Sequence, residues 1–255
     1  MDWVTLKQSE MYYQNMANTN ALIFAGGVGN RMNSLAKPKQ FLQLYGKEII
    51  IHTLENFQNN PNIDGIVVVC KDNLIDYLKK LLNKYDVDKV KWIVPGGDTG
   101  QLSIYNGLCE LEKYVDNNSI VLVHDGVRPF VNDKLINDCI ESVKKFGSAI
   151  TVVPAIETIV SIENGEIQTI TDRSKCYHAK APQCFILGEL IAAHRKALQE
   201  NLTNMIDSAS LMKYYGHSLH TVTGNYDNIK ITTPTDFYTS RALYEVRENQ
   251  QIFGL

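Results

Sequence analysis

Short apolar runs, rich in β-branched residues, recur at residues 21–24, 65–69, 90–94, 120–123 and 149–153. Runs of this length with no polar alternate fit strands covered on both faces. Between them lie segments of helical period. Residues 74–85 read LIDYLKKLLNKY, which puts Leu74, Leu78, Leu81 and Leu82 on one stripe and the lysines opposite. Residues 104–114 and 134–145 carry similar stripes. Strands alternating with helices predict βαβ units. Right-handed crossovers then place helices on both faces of the sheet. The expected class is α/β, with a Rossmann-like, mostly parallel sheet.

One segment breaks the alternation. Residues 155–172 read AIETIVSIENGEIQTITD, with β-type residues alternating around Asn164-Gly165. Both turn residues tolerate positive φ, so the pattern predicts a hairpin. It is expected to protrude as an antiparallel β-arm at about residues 155–175. Residues 1–18 read as an N-terminal extension and 19–255 as a single domain, with no internal repeat, linker or low-complexity tract.

Composition narrows the function classes. The chain has 255 residues, 44% of them hydrophobic and 21% charged, ordinary globular values. A chain this long needs no disulfide or metal staple to fold. Lys+Arg number 25 against 28 Asp+Glu, a net charge of −3, which argues against a nucleic-acid binder. A local anion site remains compatible with that balance. Cys70, Cys109, Cys139, Cys176 and Cys184 are scattered, with no CxxC pair, and are expected to be reduced thiols. Residues 1–18 lack the apolar centre of a signal peptide, and no run approaches the length of a membrane span. A cytoplasmic protein without membrane contact is expected.

The candidate chemistry begins at the first strand, which runs into Ala25-Gly26-Gly27-Val28-Gly29-Asn30-Arg31-Met32. Glycines after a strand let backbone N–H groups surround a phosphate. The spacing is not GxGxxG, because Met32 stands where a third Gly or Ala belongs, and no Gly-Lys-Ser/Thr follows as in a P-loop. By themselves the glycines fit a plain tight turn as well. Arg31 and the segment Lys37-Pro38-Lys39-Gln40-Phe41 then add three cations within nine positions. Pro38 keeps the residue before it extended. Arg31 can grip phosphate oxygens bidentately and Lys39 can act as a point charge. A second strand runs into His124 and Asp125. Ligand sites in open parallel sheets lie beyond the strands' carboxyl ends. A carboxylate there can hold Mg²⁺ on a nucleotide's phosphates.

The pattern A-G-G-x-G-x-R-M followed by K-P-K-Q-F resembles the signature of the sugar-nucleotidyltransferase superfamily. This version is similar to the methylerythritol-4-phosphate and ribitol-5-phosphate cytidylyltransferase family, and the resemblance spans about residues 21–244. It implies transfer from CTP to a polyol phosphate, with Mg²⁺ as cofactor. Ala25, Gly26, Gly27 and Gly29 would cradle the nucleotide. Gly96, Asp98 and Ser103 would line the cytosine pocket. Arg31, Lys39 and Lys230 would be the catalytic cations, and Asp125 and Asp227 the metal carboxylates. Thr158 and Arg173 on the arm would bind the acceptor phosphate across a homodimer. Three positions depart from the family pattern: Gly100 replaces an Arg, and Ala181 and Ile206 replace threonines. The two lost hydroxyls lean the acceptor toward an alditol phosphate such as ribitol 5-phosphate, used for surface polysaccharide. A methylerythritol-phosphate enzyme of isoprenoid synthesis and a catalytically weak binding dimer are the alternatives. Asp86-Val87-Asp88 spells DxD but sits on the side away from the strand carboxyl ends, and reads as a solvated turn.

Overall fold

The computed structural model describes residues 18–26 and 38–253. All five apolar runs are strands: β1 (Thr19–Phe24), β4 (Gly65–Cys70), β5 (Val90–Pro95), β6 (Ile120–Asp125) and β7 (Ser148–Pro154). The short strands β2 (Gln43–Leu44) and β3 (Lys47–Glu48) pair through a turn in which Tyr45 and Gly46 have positive φ. β8 (Val160–Glu163), β9 (Glu166–Ile170), β10 (Tyr177–Ile186) and β11 (Thr221–Thr223) follow. The central sheet has the order β11-β7-β10-β6-β1-β4-β5. β10 runs antiparallel to β6 and β7, and the other pairs are parallel.

Helices cover both faces, as the alternation implies. α1 (Ile49–Asn59), α2 (Ile75–Lys84) and α4 (Asp133–Phe146) bury their stripes on one face, where Leu54, Leu78 and Ile140 join Ala21, Ile23 and Leu122. α3 (Gly100–Leu111), α5 (Leu187–Gln199) and α6 (Ser208–Tyr214) cover the other, where Leu108, Leu190 and Leu211 join Leu22, Val67 and Phe185. α7 (Pro234–Phe253) packs Phe237, Leu243 and Tyr244 on a small third cluster around Phe130 and Ile231.

Local signals set the helix ends. Asn132 caps α4 by accepting from the Leu135 amide, and Gly147 ends it at φ 79°, where a side chain would strain. The sequence stripe starts the third helix at residue 104, but the structure starts it at Gly100. Thr99 is the cap there, its hydroxyl accepting from the Leu102 amide, so Ser103 lies inside the first turn. For α7 the cap is Thr233, whose Oγ1 accepts from the Asp236 amide, while the Asp236 carboxylate takes the Thr232 and Thr233 amides in return. Pro234 opens the helix, at a position where its missing N–H is harmless.

The arm is present as the sequence predicts. β8 and β9 pair antiparallel about Asn164 (φ 51°) and Gly165 (φ 85°), and they form a two-stranded sheet of their own. Ile162, Ile167 and Ile170 stand exposed on it. The DxD segment is a turn following α2, with Asp86 at φ 53° and Asp88 accepting from Gln58.

Candidate active site

β1 ends in the middle of the sheet, between β6 and β4. Ala25 extends its ladder by donating to the Val69 carbonyl at 2.7 Å. Gly27, Gly29 and Arg31 of the glycine-rich segment lie outside the described residues, but both of its anchors are described. On the far side, Lys39–Phe41 form a single 3-10 turn. The buried Gln40 side chain donates to the Ala25 carbonyl, and buried Phe41 packs on Tyr77 with ring centroids 5.3 Å apart. The turn that carries Lys39 is thereby pinned to the end of β1. The Ala25 amide is thereby committed to the Val69 carbonyl, while its own carbonyl keeps a second lone pair beside the one Gln40 takes.

Two cavities flank this end. One, of about 430 Å³, lies past β4 and β5 and is lined by Gly26, Lys71, Gly96, Gly97 and Asp98 among others. Here the backbone closes tightly: a Cβ on Gly26 would lie 3.3 Å from Ser103 Oγ, and one on Gly96 would lie 3.2 Å from it. Ser103 is buried, accepts from the Gly97 amide at 3.1 Å and donates to the Thr99 carbonyl at 2.9 Å. It holds the shape of the 96–99 loop, while Asp98 stands exposed at the rim.

The other cavity, of about 370 Å³, lies past β6 and β10, with Phe24, Asp125, Arg128, Lys180, Gln183 and Lys230 in its lining. Asp125 is its charged floor. Lys230 Nζ lies 2.6 Å from Oδ1, and Arg128 Nε lies 2.7 Å from Oδ2. Burial pushes the Asp125 carboxyl up, but the two cations outweigh it and hold the group at about 2. His124, buried beside it, is pushed down to about 4 by burial. Arg128 also donates from Nη1 to the Asn228 carbonyl at 2.9 Å, so it ties the β6 end to the segment bearing Lys230.

This arrangement of a strand-end carboxylate, converging cations and a glycine cradle fits binding of a nucleoside triphosphate beside a second anion. The family profile described as IspD, 2-C-methyl-D-erythritol 4-phosphate cytidylyltransferase, matches residues 19–245. The chain belongs to this cytidylyltransferase family. It is 54% identical over 235 residues to the ribitol-5-phosphate cytidylyltransferase of Vibrio parahaemolyticus, covering 92% of this chain and 99% of that one. To the 2-C-methyl-D-erythritol 4-phosphate cytidylyltransferase of Clostridium novyi it is 38% identical, covering 90% and 98%. Among solved structures it is similar to the 4-diphosphocytidyl-2C-methyl-D-erythritol synthase of Anaerococcus prevotii, with TM-score 0.78, 28% identity and coverage of 92% and 99%.

Within the cytidylyltransferase fold, the sequence-predicted residues divide into groups. Asp125 and Lys230 meet in the second cavity, and Gly26, Gly96 and Asp98 share the first. Asp227 is not in the second cavity's lining: its Oδ2 pairs with Arg247 of α7 at 2.8 Å, while Oδ1 is buried and has no partner among the described residues. Thr158 and Arg173 are exposed on the arm, away from the cavity of their own chain, and Arg173 donates to the Ile156 carbonyl at 2.9 Å. The three departures from the family pattern, Gly100, Ala181 and Ile206, all line the second cavity. Ile206 is 93% exposed there.

Arg128, which the sequence reads as a partner for a carboxylate and not as a site residue, pairs with Asp125, whereas Gln40 and Lys180 have no role on sequence grounds. Gln40 lies within the K-P-K-Q-F motif, and Lys180 immediately precedes the Ala181 departure, so neighbouring signals exist. What each side chain holds is a distant carbonyl, which spacing along the chain does not reveal.

Proposed function

We propose that the protein transfers the cytidylyl group of CTP to ribitol 5-phosphate, forming CDP-ribitol and pyrophosphate for surface-polysaccharide synthesis. The similarity to the Vibrio enzyme over nearly the full length of both chains carries this reading. Ala181 and Ile206 stand in the lining of the second cavity, where the family pattern has threonines, so the acceptor side is where this chain departs from that pattern. An oxygen of the acceptor phosphate attacks the α-phosphorus of CTP in line. The bond from that phosphorus to the bridging oxygen breaks, and pyrophosphate leaves with the electron pair. No covalent enzyme intermediate is needed, so positioning and charge stabilisation carry the rate.

In this reading Gly26, Gly96 and Asp98 receive the cytidine end, with Ser103 shaping that loop, and the second cavity receives the acceptor. Arg31 and Lys39 neutralise charge on the α-phosphate and leaving group, and Lys230 steadies the α- and acceptor phosphates. Asp125 fits a Mg²⁺ ligand: it lines the cavity, and one cation on each oxygen leaves further lone pairs on the carboxylate. Among the described residues no cluster of three His, Cys, Asp or Glu could cage a metal. One carboxylate with substrate phosphates supplying the rest is the donor set Mg²⁺ favours. When bound, the ion neutralises phosphate charge. The pairing of Asp227 with Arg247 and its absence from the cavity lining leave it a lesser candidate.

The arm supports a homodimer in which Thr158 and Arg173 serve the partner's site. A lone two-stranded hairpin is marginal in water, and three exposed isoleucines on it call for a covering surface. CTP does not cross membranes, which supports a cytoplasmic site of action.

A pyrophosphate-release panel tests the reading. Purified protein with Mg²⁺ is given each nucleoside triphosphate with several polyol phosphates, and Lys39→Ala serves as the impaired control. Release is expected with CTP and ribitol 5-phosphate, reduced about 10²–10³-fold in the control. No release with CTP and any acceptor overturns the reading and favours a binding dimer.

A further inference from the structure

We propose that Lys180 is a positioning residue that sets where Lys230 stands. Its Nζ donates to the carbonyls of Asn225 at 3.2 Å, Tyr226 at 2.9 Å and Asn228 at 3.3 Å. An ammonium has three protons, and three backbone carbonyls take them. Lys180 lines the second cavity, but its three donors are engaged by backbone carbonyls.

The clasp is returned. Asn228 Nδ2 donates to the Ala181 carbonyl at 2.7 Å, and Tyr226 donates from its hydroxyl to the Pro154 carbonyl at 2.9 Å. The Asn228 carbonyl is shared by Lys180 and Arg128, the latter at 2.9 Å. Three residues further on, the Ile231 amide donates to the Val127 carbonyl at 3.0 Å. Lys230 therefore sits between two backbone anchors, one at Asn228 and one at Ile231. Two residues of extended chain span at most about 7 Å, so a shift at Asn228 passes directly to Lys230. Burial and the neighbouring Arg128 push the Lys180 pKa down, while Asp227 draws it up, in keeping with an ammonium enclosed by protein.

This inference rests on the cytidylyltransferase reading for its kinetic consequences, but has a readout that does not. Lys180→Met and Lys180→Gln are compared with wild type by hydrogen exchange of the peptide spanning residues 225–231. Exchange there is expected to rise at least about tenfold in Lys180→Met, less in Lys180→Gln, with the sheet unchanged. In turnover, Lys180→Met is expected to lower kcat about 10–100-fold and to leave KM for CTP within about threefold. The double variant Lys180→Met/Lys230→Met should be no slower than Lys230→Met alone, because both changes remove the same placement. Unchanged exchange, or additive losses in the double variant, overturns the proposal. A salt-dependent rise in KM at unchanged kcat overturns it too, in favour of direct phosphate binding. If Lys180→Met does not fold, Lys180→Gln decides by the same exchange measurement. Wild-type protein that turns over no acceptor defeats the functional reading and leaves the exchange test of Lys180 in force.

Discussion

Lys230 and Asp125 meet on the floor of the cavity past β6, Nζ to Oδ1, at 2.6 Å. The same carboxylate is held at its other oxygen by Arg128 at 2.7 Å. The two cations differ in setting: the Lys230 side chain is 39% exposed and that of Arg128 only 10%. Arg128 also satisfies the Asn228 carbonyl. Lys230→Met should therefore cut kcat/KM about 10²–10³-fold while changing stability by no more than about 1 kcal/mol. Arg128→Met should destabilise by about 3 kcal/mol, since it strips a buried carboxylate of its buried partner. Pyrophosphate release and urea unfolding on both variants check the pair. Equal stability losses would contradict this division of labour.

Stability should fall with acid earlier than carboxylates alone would allow. His124 and His194 are both buried, and burial lowers each to about 4. The unfolded chain binds their protons near the ordinary value of about 6.5, so stability is full above that pH and is lost as pH falls toward 4. Two protons give a slope of up to roughly 3 kcal/mol per pH unit within that window. Asp125, held at about 2, adds a loss only below the ordinary carboxylate range. Urea midpoints measured from pH 7.5 to 4 should show the slope, and His194→Gln should reduce it by about half.

Two glycines of α3 should respond in opposite directions. A Cβ on Gly107 would lie 2.8 Å from both Leu22 Cδ1 and Val69 Cγ2, inside the packed sheet face. Gly107→Ala should destabilise by about 1–3 kcal/mol. A Cβ on Gly100 meets nothing within 4 Å. Gly100→Ala should be neutral or stabilising by up to about 1 kcal/mol, because it restricts the unfolded chain. Thermal unfolding of the two variants separates these outcomes.

The arm variant Ile162→Glu/Ile167→Glu/Ile170→Glu places charge on the three exposed isoleucines of the hairpin. Wild type is expected to sediment as a dimer and this variant as a monomer. Thermal unfolding should shift little, since β8 and β9 form their own sheet. A triple variant that remains a dimer would place the interface elsewhere.

The five strands of the apolar runs were legible because their signal is local; β10 was not, because Tyr177–Ile186 mixes polar positions and a proline into its apolar residues. Runs such as residues 65–69 are apolar on both faces, and only a doubly covered sheet accommodates that. The hairpin was legible for the same reason: Asn164 and Gly165 both adopt the positive φ that their residue types favour. The start of α3 was not, because Gly100 and Gln101 carry no apolar stripe, and the cap is the hydroxyl of Thr99. In the site, Asp125 and Lys230 were each legible from a motif, yet their contact spans 105 positions and comes from the fold. Arg128 pairs with the Asp125 carboxylate three positions away, a contact within its own motif, while Gln40 and Lys180 act through carbonyls of Ala25 and of residues 225–228. A backbone acceptor leaves no residue-type signature, so partners of that kind emerge only from the structure.

The acceptor comparison tests the central claim most directly. Within one preparation, kcat/KM is measured with CTP and Mg²⁺ for ribitol 5-phosphate and for 2-C-methyl-D-erythritol 4-phosphate, with the product identified by ³¹P NMR. The account predicts CDP-ribitol and a preference for ribitol 5-phosphate of roughly a hundredfold, the discrimination a pocket gains from a difference in substrate shape of about one carbon. An equal or reversed preference would contradict it.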